Sequence, residues 1–333
     1  MQQRICMGIP SQIARLILRE HRLRPITRKF LSIGRQTVYL TPSQAVALVQ
    51  AELGIKSHVN ADCIEIDQST RASNERGFIS DRAFYSLFCD AEYHCLDQSA
   101  YENADIVFNL CNANLPSELE NSFDFIFDGS TLDNVFDPAA ALRNLTRLSR
   151  VRGRLFHVDR TSRRHNVYVA FALSWFHDYY SINQFDDCQV YLAQWDDDQF
   201  TSPWDFYHFS PLWQRDGVAK FYGQDAYFYP WRHAHCVVIA EKGAQSTWNK
   251  NPIQFEYRAN TPHEYIKGDF ETLAHDLSKA DIDDPYLNAA RRFRRSERPS
   301  YLFKPCQKLH LPSNRVEYAP EITYCGSDSA IRD

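Results

Sequence analysis

Residues 123–159, with the sequence FDFIFDGSTLDNVFDPAAALRNLTRLSRVRGRLFHVD, constrain the fold more than any other stretch of this chain. The apolar runs FDFIFDG and GRLFHVD are each typical of a buried strand. Between them, Asp137 and Pro138 are start signals for a helix that runs to Ser149. A buried strand, a helix and a second buried strand predict two parallel strands of one sheet, joined by a crossover helix. Ligands of such sheets bind where the strands end, so the polar loop at 128–133 is a candidate site.

The same alternation of apolar runs and helical patterns extends along the chain. Five further runs predict buried strands: KFLSIG, YHCLD, ADIVFNL, CQVYLAQWD and HCVVIAEKG. Helical patterns begin after Ser11 as N-cap and at Asp81. Another begins at Pro42, with Thr41 as N-cap, and ends at Gly54. The predicted fold class is α/β, with a Rossmann-like, mostly parallel seven-stranded sheet and helices on both faces.

This rhythm divides the chain into three parts. Residues 1–27 are expected to form an N-terminal helical lead, and residues 28–243 the sheet domain. Residues 244–333 lose the alternation, hold many of the prolines, and are expected to form an irregular C-terminal extension. The extension contains the basic run RRFRRSER. Such a run can meet a phosphate-bearing or acidic acceptor, but more often it is a solvated helix face.

Charge and cysteine content narrow the class of partner. A formal net charge of -5 argues against a generic nucleic-acid binder, so no nucleic acid is expected. The nine cysteines form no CxxC pair, and free thiols in a reducing cytoplasm are the simplest interpretation. The N-terminus lacks the continuous apolar run of a signal peptide, and no segment approaches transmembrane length. We therefore expect a cytoplasmic protein without membrane insertion.

The stretch 123–159 is similar to the region from the fourth to the fifth strand of the class I S-adenosylmethionine-dependent methyltransferases. LDNVFDP corresponds to the family's loop, which often reads LEHV followed by Asp-Pro, and RLSRVRGRL to its helix end and turn. YHCLDQSAYENADIVFNLCNANLP looks like the second and third strands, and CQVYLAQWD and HCVVIAEKG like the last two, one of them antiparallel. The sequence departs from the family at SIGRQT, where Gly34 stands alone instead of Gly-x-Gly-x-Gly, and at Asp133-Asn134, where the family has Glu-His.

The resemblance implies S-adenosylmethionine as cofactor, bound at the carboxyl ends of the strands. The cofactor-binding residues that it implies are Gly34, Arg35, Asp97, Asn109, Asp128, Gly129 and Ser130. Asp97 ends a strand, where its carboxylate would accept hydrogen bonds from ribose hydroxyls; otherwise it is a helix N-cap. Asp67 is the rival, because the long stretch between Gly34 and Asp97 requires an insertion. Asn109 would lie near the adenine ring or simply build a turn.

Two catalytic candidates follow from the same comparison, His157 and Asp128. His157 and Asp159 alternate on the fifth strand and point to one face, so His157 would remove a proton from an acceptor hydroxyl. The alternative is a buried histidine that is bonded to its neighbours. The run WRHAHC brings His233, His235 and Cys236 together in sequence, but this spacing matches no known metal site, so no metal is expected.

The function that these features predict is methyl transfer from S-adenosylmethionine to an oxygen or nitrogen of a small-molecule or saccharide acceptor. The sulfonium is already a strong electrophile, so alignment supplies most of the catalysis and no catalytic motif is required. The alternative is a catalytically inactive methyltransferase-like binding or assembly module, which the single glycine in SIGRQT favours. A nucleotide-sugar or dinucleotide enzyme is disfavoured because the chain has no GxGxxG.

Overall fold

The computed structural model of the chain describes residues 8–54, 61–68, 71–100, 103–161, 167–196, 199, 202–209, 233–254, 285–303 and 322–328. Its helices are α1 (Ser11–Leu23), α2 (Pro42–Leu53), α3 (Arg71–Arg76), α4 (Asp81–Ser86), α5 (Pro138–Leu148), α6 (Leu173–Ile182), α7 (Pro285–Arg294) and α8 (Arg298–Leu302). Its strands are β1 (Gly8–Ile9), β2 (Lys29–Ile33), β3 (Thr37–Val38), β4 (Ile79–Ser80), β5 (Glu92–Asp97), β6 (Ile106–Val107), β7 (Phe123–Gly129), β8 (Ser149–Arg160), β9 (Asp187–Trp195), β10 (Trp204–Phe209), β11 (His233–Glu241) and β12 (Ile322–Asp328). None of these helices is both long and apolar enough to cross a membrane.

The main sheet has the order β12-β10-β9-β11-β8-β7-β2-β5-β6. The pairs β5–β6, β2–β5, β2–β7 and β7–β8 are parallel, whereas β11 is antiparallel to both β8 and β9. Two reversals cancel, so β9 runs with the parallel set and β11 alone opposes it. These seven strands confirm the predicted Rossmann-like sheet, including the antiparallel member of the last pair. β10 and β12, which the sequence did not predict, extend one edge antiparallel.

Both faces of the sheet are apolar and covered by helices. Phe125 and Phe127 of β7 point to one face, into a core that α1, α2 and α4 close. Ile126, between them in sequence, points to the other face, into a core that α5 and α6 close. The side-chain alternation of a strand therefore produces two layers of helix from one apolar run. This arrangement leaves the strand ends as the place where polar side chains gather.

Local sequence signals set most helix boundaries. Thr41 caps α2 as predicted: its hydroxyl accepts from the Gln44 amide at 3.4 Å, and the Gln44 side chain accepts from the Thr41 amide at 3.0 Å. Asp137 caps α5 by accepting from the Ala140 amide at 3.0 Å. The prediction of Ser11 as N-cap is wrong. Pro10 holds that position without a side-chain bond, and Ser11 is already inside the helix. The run ADIVFNL yields only the two-residue strand β6, shorter than predicted.

An insertion between Gly34 and Asp81 carries β3 and β4, which form a small sheet with β1 from the start of the described chain, in the order β1-β3-β4. It leaves and rejoins the main fold at one point, because the Asp81 amide donates to the Gln36 carbonyl at 3.0 Å. Asp67 lies within this insertion, is buried, and accepts from the Thr37 hydroxyl. The rival assignment of Asp67 as the ribose-binding acid therefore fails, because Asp67 ends no strand of the main sheet.

The described part of residues 244–333 is more regular than its sequence pattern predicts, since it supplies α7, α8 and the edge strand β12. Arg298, the last residue of the basic run, is buried rather than solvated. Its guanidinium bonds Glu20 of α1 at 2.9 Å, Glu241 of β11 at 3.3 Å, and Asp187 of β9. The interpretation of the run as a solvated face is therefore wrong at this position. The division into three parts stays a prediction.

Candidate functional site

The crevice between β2 and β7 is where the order of the strands reverses. From β2 the chain continues to β5 and β6 on one side, and then crosses to β7 and β8 on the other. In open α/β sheets, ligands bind outside the carboxyl ends of the strands at such a switch point. Gly34 follows β2, and Gly129 ends β7, so these two predicted residues flank the crevice.

Gly34 and Asp97 lie together, as the predicted cofactor site requires. Gly34 has a φ of +69°, a left-handed conformation that favours glycine, and its amide donates to the Leu96 carbonyl at 2.8 Å. A Cβ added to Gly34 would lie 3.7 Å from Oδ2 of Asp97. Oδ1 of Asp97 accepts from the Ser99 amide at 2.9 Å, while Oδ2 has no hydrogen bond to any described residue. Asp97 is partly exposed, so this oxygen is open to a ligand.

Arg35, another predicted cofactor contact, is already committed to an ion pair. Its guanidinium lies 3.1 Å from Oδ1 of Asp81, which is fully buried. The carboxylate of Asp81 also accepts from the Gln36 amide at 2.9 Å and from the Tyr93 hydroxyl at 2.6 Å. Burial raises the pKa of Asp81, and Arg35 opposes that shift. The geometry therefore makes Arg35 and Asp81 the support of the 34–36 loop.

Asn109 occupies the turn that the alternative interpretation described. It is exposed, and its side-chain oxygen accepts from the Cys111 amide at 2.9 Å. Asn112 makes the same kind of bond to the Asn114 amide at 3.0 Å. These Asx turns fix the loop after β6, and the amide nitrogen of Asn109 points away from its own turn bond.

The predicted catalytic pair lies inside the protein. The β7–β8 register places Asp128 beside His157, and Oδ2 of Asp128 lies 2.9 Å from Nδ1 of His157. Nε2 of His157 lies 2.6 Å from the Tyr180 hydroxyl of α6. Oδ1 of Asp128 accepts from the Thr131 amide at 3.0 Å. Asp128, His157 and Tyr180 are all fully buried, so none of them meets solvent. The sequence alternative of a buried, bonded histidine describes this geometry.

The loop after β7 is locked by its own side chains. Ser130 has a φ of +67°, and its hydroxyl donates to Oδ2 of Asp133 at 2.6 Å. Asp133 also accepts from the Asn134 side chain at 2.6 Å and the Arg160 amide at 3.0 Å. Burial is the main reason that the pKa of Asp133 rises to about 6. Ser130 therefore orders the loop, and its hydroxyl is not available to a cofactor in this arrangement.

Asp159 adds a third buried carboxylate next to Asp128 and His157. Ligand atoms of these three side chains lie within 4.8 Å of one another, a separation that a cation would also suit. Burial first, and then the charges of Asp128 and Asp133, raise the pKa of Asp159 well above its ordinary value. A protonated Asp159 would donate to Asp128, which relieves the repulsion between them without a metal.

The residues of WRHAHC do not converge. Trp231 and Arg232 lie outside the described residues, and His235 and Cys236 point to opposite faces of β11. The imidazole of His235 stacks on Trp195, with centroids 4.9 Å apart, and its Nδ1 lies 3.2 Å from the Asp159 carbonyl oxygen. This histidine therefore packs against an aromatic side chain.

Sequence reasoning missed Tyr180 as a partner of His157, and it did not commit to Gln36. Tyr180 belongs to the aromatic-rich helix α6, whose side chains are typical of a core, and its hydroxyl gives no separate signal in the sequence. Gln36 lies in a loop whose polar residues are usually solvated. Tyr180 is 0% exposed and Gln36 is 5% exposed, and only this burial in the fold distinguishes them from ordinary core and loop residues.

The strand order and directions define a Rossmann-like α/β fold, which agrees with the fold that the methyltransferase resemblance implies. No protein-family model matches the chain, and no curated protein matches it. Its similarity to solved structures is remote.

One such structure is a Burkholderia thailandensis 1,6-didemethyltoxoflavin-N1-methyltransferase with bound S-adenosylhomocysteine, at 10% identity and a TM-score of 0.32 over 70% of this chain and 78% of that one. Another is a Thermotoga maritima SAM-dependent methyltransferase, possibly acting on histamine, at 14% identity and a TM-score of 0.31 over 70% of this chain and 89% of that one. A third is a Haemonchus contortus phosphoethanolamine N-methyltransferase in complex with S-adenosylhomocysteine, at 13% identity and a TM-score of 0.33 over 69% of this chain. The chain spans 52% of that enzyme. Because these TM-scores are low, the fold is assigned from the strand order and strand directions of this chain alone.

Proposed function

We propose that this protein binds S-adenosylmethionine at the carboxyl edge of the sheet and transfers its methyl group to an oxygen or nitrogen of a small-molecule or saccharide acceptor. The observation that carries the proposal is the free Oδ2 of Asp97 beside the left-handed backbone of Gly34, next to the switch point. A carboxylate oxygen in that position accepts well from the two hydroxyls of a ribose. The exposed Asn109 loop, on the far side of Asp97, would then lie along the adenine.

The charge of this edge supports a cationic cofactor over an anionic one. Asp97 and Asp128 lie at the ends of β5 and β7 there, and Arg35 is paired with Asp81. A sulfonium and an ammonium are attracted by such a field, whereas the phosphates of a dinucleotide or nucleotide sugar are repelled. This negative charge therefore favours S-adenosylmethionine over the ligands of a nucleotide-sugar or dinucleotide enzyme.

Within this proposal, Asp128 and His157 act as positioning residues, because both are buried and bond each other. They hold the end of β7, and the loop after it, beside the crevice. The methyl transfer itself would depend on alignment of acceptor and sulfonium. The inactive binding module stays the alternative, since a protein that only binds the cofactor needs the same edge.

A thermal melt with S-adenosylmethionine or S-adenosylhomocysteine tests the proposal. A ligand that binds only the folded state stabilises it by about 2.7 kcal/mol at a hundredfold excess over Kd, so a clear upward shift is expected. NAD and a nucleotide sugar should give none. No shift with either adenosyl ligand, in folded and cofactor-free protein, would refute the proposal.

Asp97→Ala should weaken binding by about ten- to hundredfold, the loss of a hydrogen bond to a charged group. Asp90→Ala is the matched control, because Asp90 is exposed before β5 begins, at the opposite end of that strand. Calorimetric titration that finds both variants equal to wild type would place the ribose elsewhere. Release of S-adenosylhomocysteine in an acceptor screen then separates the enzyme from the binding module.

A further inference from the structure

The side chain of Gln36 fills the crevice between β2 and β7. It is 5% exposed, and its Nε2 donates to the Ile33 carbonyl at 3.3 Å. Its Oε1 is buried and has no hydrogen-bond partner among the described residues. A Cβ added to Gly129 would lie 2.7 Å from that oxygen, so glycine at the end of β7 is what admits the Gln36 amide. Gly34 and Gly129, which flank the switch point, therefore both lie next to the Gln36 amide.

The orientation of this amide is fixed by its surroundings. A flipped amide would set its oxygen against the Ile33 carbonyl oxygen, and two acceptors cannot bond. The backbone of Gln36 is clamped on both sides by Asp81, whose carboxylate accepts from the Gln36 amide at 2.9 Å and whose own amide donates to the Gln36 carbonyl at 3.0 Å. The unpartnered group is thus an acceptor held in place over the crevice.

A buried acceptor without a partner is unfavourable, and native structures rarely leave one unexplained. A ligand donor would satisfy it. Asp97 and Asp128 lie at the ends of the neighbouring strands β5 and β7, and their carboxylates make the surroundings negative. A positively charged donor is therefore preferred over a neutral one.

The strand order indicates which end of the cofactor would supply the donor for Gln36. In S-adenosylmethionine the adenine and the amino-acid chain leave the ribose from opposite sides, at C1′ and C5′. If Asp97 of β5 holds the ribose, Asn109 lies on the β6 side, and Gln36 lies on the β7 side. The adenine toward Asn109 thus leaves the amino-acid end facing Gln36.

We infer that Oε1 of Gln36 accepts a hydrogen bond from the α-ammonium of S-adenosylmethionine. This inference rests on the proposed function. It makes Gln36 a specificity residue for the amino-acid part of the cofactor, without a role at the adenosine part.

The test compares two ligands that share the adenosine and the sulfur. S-adenosylhomocysteine carries the amino acid, whereas 5′-methylthioadenosine lacks it. Gln36→Ala should weaken S-adenosylhomocysteine by about ten- to hundredfold and change 5′-methylthioadenosine by less than about twofold. Asp97→Ala should weaken both ligands alike. Melting of each variant without ligand confirms that it is folded.

A further ligand separates the ammonium from the carboxylate of the same amino acid. Decarboxylated S-adenosylhomocysteine keeps the amine and lacks the carboxylate, so Gln36→Ala should weaken it as much as it weakens S-adenosylhomocysteine. An unchanged affinity for the decarboxylated ligand would mean that Gln36 serves the cofactor carboxylate, and the inference would be overturned. Equal losses of S-adenosylhomocysteine and 5′-methylthioadenosine in Gln36→Ala, or no loss, would overturn it too. If neither ligand binds wild type, it is the proposed function that fails.

Discussion

At the scale of single residues, the main feature of the site's interior is a group of buried acids that cannot all be ionised. Asp128, Asp133 and Asp159 are buried within one short region, together with His157. Three carboxylates cannot all stay ionised there without strong repulsion, and burial adds a desolvation penalty. The raised pKa values of Asp133 and Asp159 are the physical response. The region is stable because some of its acids hold a proton.

Asp159→Asn tests this account, because an amide resembles a protonated carboxyl and needs no proton. The folded-state pKa of Asp159 is raised, so the fold must keep it protonated while the unfolded chain ionises it, and this lowers the stability of wild type as pH rises above about 4. The melting temperature of Asp159→Asn relative to wild type should therefore rise from about pH 5 to about pH 8.

Comparison with wild type at each pH is needed because burial lowers the pKa of His21 and His208 to about 4, which acts in the opposite direction. These histidines make the stability of both proteins rise between pH 4 and 6.5. Glu118→Gln, the same carboxylate-to-amide change at an exposed position, is the control and should track wild type. A melting difference for Asp159→Asn that does not change with pH would show that Asp159 is ionised in the fold.

At the scale of elements, the loop after β2 combines a backbone requirement with the proposed ligand contact. Gly34 has a φ of +69°, and so do two glycines far from the crevice, Gly54 at +70° and Gly77 at +66°. A Cβ at Gly54 or Gly77 would meet nothing within 4 Å, so substitution there measures backbone strain alone. The chain thus offers a matched control for the site glycine.

Gly34→Val and Gly54→Val should each destabilise the fold by about 1–2 kcal/mol, the strain of a left-handed side chain. Only Gly34→Val should also lower affinity for S-adenosylmethionine, because its side chain would stand beside Asp97 where the cofactor approaches. Denaturant unfolding measures the free energy of unfolding, and calorimetric titration measures the affinity for S-adenosylmethionine. Full affinity in Gly34→Val would show that this loop does not touch the ligand.

At the scale of the whole molecule, a buried ion network joins helices α1 and α8, which are far apart in sequence, to the sheet. Arg298 of α8 bonds Glu20, Asp187 and Glu241, and Glu20 also bonds Arg154 of β8 at 2.8 Å. Burial works to lower the pKa of Arg298, but Glu20 and Asp187 outweigh it and the pKa is raised. Helices α1 and α8 therefore bond each other, and together they bond three strands of the sheet, β8, β9 and β11.

Arg298→Met should lower the free energy of unfolding by about 3–5 kcal/mol, because it leaves buried carboxylates uncompensated. Arg295→Met, at an exposed position of the same basic run, should change stability by less than about 0.5 kcal/mol. Urea unfolding followed by circular dichroism measures both. Similar stabilities would mean that the network contributes little to the fold.

Local residue patterns predicted the seven main strands, the capped helices α2 and α5, and the residues at the strand ends, because periodicity and caps depend on neighbours a few positions apart. The same patterns put Asp97 at the edge of the sheet where the parallel strands end. The edge strands β10 and β12, and the short length of β6, were not predictable in this way, because pairing partners decide them.

Which polar groups are already paired depends on the tertiary structure. Asp81 holds Arg35 in an ion pair and bonds the backbone of Gln36, through contacts across an insertion whose course no local pattern reveals. Arg298 and Glu20 are 278 positions apart, yet they form one buried pair. Burial and long-range pairing set the charge and availability of a side chain, and both depend on the packed fold rather than on residue type.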